Sequence, residues 1–340
     1  MAPELSVIIV NYKTPEYLLN SIRSVFANGT GLSAEVIVVD NDSKDDSEKL
    51  VKLNFPDVIW IDMGYNAGFS RANNAGIRKA AGDYILLLNS DTIIIGDCLQ
   101  KSLKYYKNLE QGDLQPGLLG CKMKDLNENI LFSSNDTFPG IKKIWNANPV
   151  KIFFTRKNQK TPEFSAEEKK RIHSSNHQSA WLGVAFALCN RKLFDRDQLF
   201  MDEDFFMYGE DMEWCYRIAK KGYHHFFYSE GEIFHINCGS SGINEWKSAQ
   251  VQISEWLYIY KTRGYFYYLT FLLLIKFNFL LDYFLYLKSS RQTRGRLENQ
   301  ISYEHLKKTN KLLHSYGWKI IKQFKTKPSS AINFLKYGLE

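Results

Sequence analysis

Along the first ninety residues the chain gathers its apolar side chains into blocks. Residues 5–10 (LSVIIV), 35–39 (EVIVV), 58–62 and 84–88 (YILLL) are short runs dominated by Val, Ile and Leu. Runs of this length without polar alternation predict strands buried on both faces of a sheet. The intervals carry helical periodicity, over about 17–27, 45–54 and 70–81, and Pro15 stands where the first helix would open. Strand and helix therefore alternate, which predicts an α/β fold with a mostly parallel central sheet flanked by helices. Each strand runs into polar residues: 11–14, 40–43, 62 and 89–91. Asn, Asp and Ser are ordinary turn formers. The carboxyl edge of an open α/β sheet is also where ligands bind, and so many polar strand ends predict a composed site there.

Residues 112–170 lose this regularity. They hold Pro116, Pro139, Pro149 and Pro162 and read as loops and an insertion over one face of the sheet. Order returns at 181–189 (WLGVAFALC) and 201–222, and residues 253–287 are strongly apolar and aromatic. No internal repeat is visible.

Composition changes the picture mainly through where the charge lies. The 340-residue chain carries a formal charge of +7. Residues 288–340 hold twelve Lys/Arg against three Asp/Glu, leaving 32 basic and 34 acidic groups elsewhere. The positive excess belongs to the tail, and both nucleic acid and an anionic leaflet attract such a tail. The cysteines Cys98, Cys121, Cys189, Cys215 and Cys238 are odd in number, widely spaced and without CxxC, so neither a zinc site nor a disulfide framework is expected. The N-terminus has no basic n-region or cleavage site, so secretion is not expected.

Four constellations carry candidate chemistry. Asn89-Ser90-Asp91 directly follows a buried strand, where Asp91 can hold a divalent cation against a diphosphate and Asn89 adds a neutral ligand; hard oxygen donors suit Mg2+ or Mn2+. A helix N-cap is the alternative reading. In residues 66–77 (NAGFSRANNAGI), Gly68 permits close backbone approach ahead of a helix N-terminus, and Arg71 can offer a planar fork to phosphate, although the segment is neither a P-loop nor GxGxxG. Residues 202–217 (DEDFFMYGEDMEWCYR) interleave six acidic groups with Phe205, Phe206, Met207, Tyr208 and Trp214. Carboxylates pressed against aromatic surface are raised in pKa and act as bases, while Asp211, two residues after Gly209, equally suits a helix cap. His235, in residues 233–241 (IFHINCGSS), is either a packed strand histidine or a ligand.

Taken in order, these pieces resemble the family 2 glycosyltransferases, which have the Rossmann-like GT-A fold, and especially their bacterial rhamnosyltransferase-type members. The resemblance is carried by 6–14 (SVIIVNYKT), 38–43 (VVDNDS), 66–77, 86–92 (LLLNSDT) and 181–223, followed by His235, and covers about 4–245. It implies that Asn11 and Asp40 line the nucleotide pocket, with Asp40 reaching the base and Arg71 near the diphosphate. Asn66, Gly68, Asn89 and Trp181 complete the donor side. Asp91 stands at the metal carboxylate of the family's DxD-like motif and His235 at its additional metal ligand. Asp211, of the xED motif, is the implied base, and Glu210 helps to position the acceptor. Residues 1–110 would form the nucleotide-sugar-binding half, 111–245 the acceptor-binding and catalytic half, and 246–340 a helical extension. Three positions depart from the family pattern. Asn89 makes the first position of the metal motif an amide, Met201 replaces Phe, and Glu213 replaces Asp.

The implied reaction is inverting transfer from a nucleotide sugar, dTDP-L-rhamnose first, with UDP-hexoses and UDP-galactofuranose sharing the motifs. The implied acceptor is a surface-polysaccharide or lipid-linked oligosaccharide hydroxyl. A sugar nucleotidyltransferase would carry a glycine-rich loop in place of 11–14 (NYKT), and a non-catalytic carbohydrate-binding protein of the same fold would not need Asp91, Asp211 and His235 together. Residues 265–287 (YFYYLTFLLLIKFNFLLDYFLYL) are long enough to span a bilayer, but Lys276, Asn278 and Asp282 make a span costly. The aromatic rings suit an interface instead, and the basic tail would attract anionic lipid and not nucleic acid. The expectation is a peripheral or monotopic protein at the cytoplasmic face of the bacterial inner membrane. A packed helical layer, a homo-oligomer contact or a true span are the alternatives.

Overall fold

The computed structural model describes residues 2–140, 165–236, 245–292 and 310–326. The chain divides into two compact units, residues 1–138 with 164–244, and residues 139–163 with 245–340.

In the first unit, β1 (Leu5–Asn11), β2 (Ala34–Asp40), β3 (Ile59–Asp62) and β4 (Tyr84–Asn89) lie parallel in the order β3-β2-β1-β4. The connections are α1 (Pro15–Asn28), α2 (Ser47–Asn54) and α3 (Phe69–Lys79), and Pro15 does open the first helix. Both faces of β1, β2 and β4 are covered, which is why their sequences do not alternate, while β3 at the sheet's end is only partly buried. Val7, Ile9, Val38 and Leu88 pack with Leu18 and Ile22 on one face; Ile8, Ile37, Val39 and Leu87 pack with Ala72, Ile77 and Trp214 on the other. Each such fully buried side chain contributes about 1.5–3 kcal/mol.

Beyond β4 come β5 (Thr92–Ile94), α4 (Cys98–Leu109), β6 (Pro116–Lys124), β7 (Ile130–Leu131) and β8 (Ser134–Asn135). After the insertion follow α5 (Ala166–Ile172), β9 (His177–Ser179), β10 (Trp181–Leu182), β11 (Phe186–Asn190), α6 (Lys192–Asp195), α7 (Glu210–Lys220) and β12 (His224–His235). The sheet continues β4-β11-β6-β12-β5, with β11 antiparallel to both neighbours, β12 parallel to β6, and β5 antiparallel to β12.

The region expected to be irregular therefore contains a nine-residue strand, β6, in the middle of the sheet. Pro116 occupies its first position, where a missing N–H is tolerated. Gly117 and Gly120 interrupt the β-branched signature that would have revealed it. Pro149 and Pro162 lie outside the described residues.

The second unit contains α8 (Glu245–Arg263), α9 (Tyr265–Gln292), a π-helical turn (Leu313–Gly317) and α10 (Trp318–Thr326). Ile253, Trp256 and Leu257 of α8, Tyr268 and Leu272 of α9, and Leu313 and Tyr316 of the turn are buried, and the Tyr268 hydroxyl donates to the Gly317 carbonyl at 3.1 Å. Among the described residues no helix is long and apolar enough to cross a membrane. Much of the basic tail (293–309 and 327–340) and Cys238 lie outside the described residues; the other four cysteines are buried free thiols.

Candidate active site

The register of the parallel strands puts their polar ends on one edge. Asn11 pairs across from Asp40, Asp40 from Asp62, and Val10 from Asn89. Asn11 Nδ2 donates to Asp40 Oδ1 at 2.7 Å and to Ser43 Oγ at 3.0 Å; the Ser43 amide donates to Asp40 Oδ2 at 2.9 Å; Thr14 Oγ1 donates to Asn11 Oδ1 at 3.0 Å. Asp40 is thus fixed in place, at the wall of a cavity of about 150 Å3 also lined by Asp42, Lys44, Ser47, Trp60 and Asp62. Six described non-glycine residues have positive φ, and four of them (Lys13, Asp42, Lys44 and Tyr208) lie in the loops at this edge. Backbone strain of this kind gathers where a loop must hold an unusual shape for a ligand.

Asn41 joins this loop to the next. Its Nδ2 donates to Asn66 Oδ1 at 3.1 Å, and its Oδ1 accepts the Ala67 amide at 2.8 Å. Sequence reading missed both Asn41 and Ser43, although each lies within VVDNDS and the carboxyl edge of a strand was the available signal. Gly68 has φ +81, and a Cβ there would lie 2.4 Å from the Phe206 carbonyl, which accepts the Phe69 amide at 2.7 Å. The loop 66–69 is therefore clamped to the acidic segment 202–211.

Arg71, expected near the diphosphate, is 4% exposed, with Nε 3.8 Å from Glu203 Oε2. Glu203 also accepts from Asn74 Nδ2 at 3.0 Å and Arg78 Nη2 at 2.9 Å. Burial works to raise its pKa, but the hydrogen bonds from Asn74 and Arg78 and the charges of Arg78 and Arg71 hold it below the usual carboxylate value. One half of the acidic motif is thus an internal brace.

The residues expected on the metal side meet because β5 folds back along β12. Thr92 pairs opposite His235, the Ile236 amide donates to the Asp91 carbonyl at 2.9 Å, and His235 Nε2 lies 3.2 Å from Asp91 Oδ1. Asn89 Nδ2 is 3.5 Å from the same imidazole nitrogen, and Asn89 Oδ1 is buried without a hydrogen-bond partner. Turning this amide over exchanges N and O with little change of shape, which would aim its oxygen at the Asp91–His235 pair. No group of three His, Cys, Asp or Glu ligands forms among the described residues, so the amide is what completes a third donor. A carboxylate, an imidazole and an amide oxygen fit a hard divalent cation that leaves positions for diphosphate oxygens and water.

The other pair of carboxylates opens α7. Tyr208 (φ +67) and Gly209 (φ +76) turn the chain in the left-handed region, and Glu210 and Asp211 occupy the first helical turn, where the helix dipole favours negative charge. Asp211 Oδ1 accepts the Met212 amide at 2.8 Å, and the carboxylate also accepts the Val184 amide. Glu210 is 6% exposed and its Oε2 has no partner. Burial pushes both carboxyls well above the ordinary range, and the charge of Asp211 pushes Glu210 further. Neither makes an ion pair among the described residues, whereas Glu213 is held by Arg217 at 2.6 Å.

Two adjacent residues connect these centres. The Asn89 amide donates to the Ala185 carbonyl at 3.1 Å, and the Val184 amide donates to Asp211. Trp181 lies three residues earlier on β10, which packs against α7; its Nε1 donates to the Thr137 carbonyl at 3.2 Å. It stands beside the helix carrying Asp211.

Residues 6–153 match the model of glycosyl transferase family 2. The chain is 27% identical over 231 residues to the low-salt glycan biosynthesis hexosyltransferase Agl10 of Haloferax volcanii, which covers 65% of this chain and 63% of that protein. The chain thus spans less than two thirds of that relative's length. Over 253 residues it is 23% identical to the N-acetylglucosaminyl-diphospho-decaprenol L-rhamnosyltransferase of Mycobacterium tuberculosis, covering 71% of this chain and 79% of the other. A solved structure of residues 1–349 of S. aureus TarS aligns with 95% of this chain and 89% of that one, with TM-score 0.48 at 15% identity. Through residues 6–153 and these relatives, the chain is similar to glycosyl transferase family 2.

Proposed function

We propose that the protein catalyses inverting transfer of a sugar from a nucleoside diphosphate donor to an acceptor hydroxyl. The observation that carries this reading is the link through Val184 and Ala185, which holds a cation-ready donor set and a half-buried carboxylate without an ion pair on one short segment. Asp211 takes the proton of the acceptor hydroxyl. The acceptor oxygen forms its bond to the anomeric carbon while the bond from that carbon to the diphosphate breaks, and the electron pair leaves with the nucleotide. A single displacement inverts the anomeric centre and needs no carboxylate nucleophile.

Asp91, His235 and the Asn89 oxygen would hold Mg2+ or Mn2+, which when bound supplies charge stabilisation to the departing diphosphate. Asn11 and Asp40 line the nucleotide side, with Asn66 and Gly68 shaping the neighbouring loop, and Glu210 positions the acceptor. Residues 1–110 then form the donor half, 111–245 the acceptor half, and 246–340 an extension.

The donor we favour is dTDP-L-rhamnose. It is supported by the resemblance of the motifs and by the rhamnosyltransferase name of the mycobacterial relative. That relative's name also includes a diphospho-decaprenol, which supports a lipid-linked or surface-polysaccharide acceptor here. Such an acceptor places the enzyme at the cytoplasmic face of a bacterial inner membrane, attached peripherally.

A panel of dTDP-, UDP- and GDP-sugars tests the reading by thermal stabilisation and donor hydrolysis, with and without Mn2+. One donor class should stabilise the protein, and Mn2+ should enhance the effect in the wild type but not in Asp91→Ala. No response to any donor would remove the activity. Nucleotide exchange dependent on pyrophosphate would point to a nucleotidyltransferase instead.

A further inference from the structure

The helix α9 is apolar nearly all round, but its two sides are used differently. Tyr268, Phe271 and Leu272 are buried within the second unit. Phe266, Leu273, Phe277, Leu280 and Phe284 are exposed by 81, 58, 52, 52 and 65%. With Thr270, also exposed, they follow one another at alternating steps of four and three residues. At about 100° per residue these six positions fall within an arc of about 80°, and at about 1.5 Å per residue the stripe runs for about 27 Å. Lys276, Asn278 and Asp282, the residues that argue against a span, all lie off it. Their helical positions are about 80°, 120° and 160° from its centre, and Lys276 Nζ is turned to Asn310 and His314 at 3.1 Å each.

We infer that this stripe is the surface by which the protein lies on an anionic membrane, with α9 in the plane of the interface. The inference rests on the proposed peripheral attachment and specifies which face makes it. Charge selects this occupant. Residues 245–292 and 310–326 hold ten Lys/Arg against three Asp/Glu, so a self-complementary contact would bring like charges together, whereas an anionic leaflet attracts them. The flanks of the stripe point the same way. Positions beside a paired-helix seam usually carry opposite charges that set its register; here Leu269, Leu274 and Leu281 widen the apolar face, and the one charge at that angle, Lys276, is turned to Asn310 and His314. Large aromatic and leucine side chains above a basic body are the composition of a helix held at headgroup depth.

The test uses the full chain and vesicles of phosphatidylcholine, alone or mixed with phosphatidylglycerol, in a flotation assay. The wild type should bind the mixed vesicles, and Leu273→Asn/Phe277→Asn/Leu280→Asn should bind them about tenfold more weakly or worse. Its thermal transition, oligomeric state and nucleotide-sugar stabilisation should be unchanged. In a separate variant, Phe277→Trp, the indole emission should shift to the blue on adding mixed vesicles. If the wild type binds but the triple variant binds equally well, attachment runs through other residues and the stripe is not its surface. If the wild type does not bind, peripheral attachment and the stripe's role fail together, while donor stabilisation still reports on the transfer site. A wild-type oligomer that the triple substitution converts to monomer, with vesicle binding unaltered, would make the stripe an interface between copies.

Discussion

The acidic segment from Asp202 to Glu213 contains two kinds of carboxylate, separated by a few residues. Glu203 and Glu213 each have cationic partners: Arg78 and Arg71 for the first, Arg217 for the second. Glu210 and Asp211 have none among the described residues and are raised in pKa by burial. A buried carboxylate with a cation stays ionised and holds structure together; one without a cation is costly to ionise and has a strong affinity for a proton. The difference shows how one stretch of chain serves as both brace and base. Placing cations beside only some of the acidic groups decides which role each takes.

The largest test of this division is Asp211→Asn. The amide keeps the shape and the contact with Val184, so donor stabilisation should persist, while transfer should fall by about a thousandfold or more. Near-normal turnover would place the base elsewhere. In the wild type, the pH dependence of kcat/KM should reflect the raised carboxyl. Activity should climb as pH rises through a limb above the usual carboxylate range of about 4, because Asp211 must lose its proton to act. An acid limb at the ordinary position would contradict the burial assigned to it.

Much of this was readable from residues alone. The four parallel strands were legible because burial on both faces strips polar residues from them, and their shared edge followed from what ended each run. Asp91, His235 and Asp211 were placed together only by resemblance; the contacts that join them depend on β5 reversing along β12 and on the amides of Val184 and Asn89. No local pattern encodes such long-range backbone contacts. Strand β6 was hidden because proline and glycine signal turns locally, while its position between β11 and β12 is set by the sheet. Arg71 illustrates the same point. The sequence displayed a cation near a glycine loop, but its counter-charge, Glu203, lies far along the chain.

Substitutions on the bracing side should act through stability. Gly68→Ala meets both the positive φ and the Phe206 carbonyl, and should cost about 3 kcal/mol and loosen the loop against the acidic segment. A melting temperature within a degree or two of wild type would mean that the two loops are not clamped. Glu203→Gln removes the carboxylate charge that faces Arg71 and Arg78 and should cost about 2 kcal/mol at neutral pH. Because the native pKa of Glu203 is depressed, that loss should shrink as pH falls through the native value, where the wild-type carboxylate is itself protonated. A pH-independent deficit would mean that Glu203 acts through packing alone.

The smallest effect has the opposite sign. Glu210 has a native pKa above its unfolded one, so between the two values the folded protein binds more protons than the unfolded chain, and its stability falls as pH rises. Glu210→Gln removes that dependence. The variant should be more stable than wild type by on the order of 1 kcal/mol at neutral pH. The gain should vanish below about pH 4, where Glu210 is protonated in both states. Melting curves of Glu203→Gln and Glu210→Gln, taken across the same pH series, should therefore depart from the wild type in opposite directions and converge with it in acid. If Glu210→Gln is destabilising at neutral pH, the carboxylate has a cationic partner or a proton donor in the folded protein, and the contrast between the two ends of the segment collapses. If it is stabilising, the site keeps an uncompensated carboxylate at a cost in stability, as expected where a proton must be held beside a reacting hydroxyl.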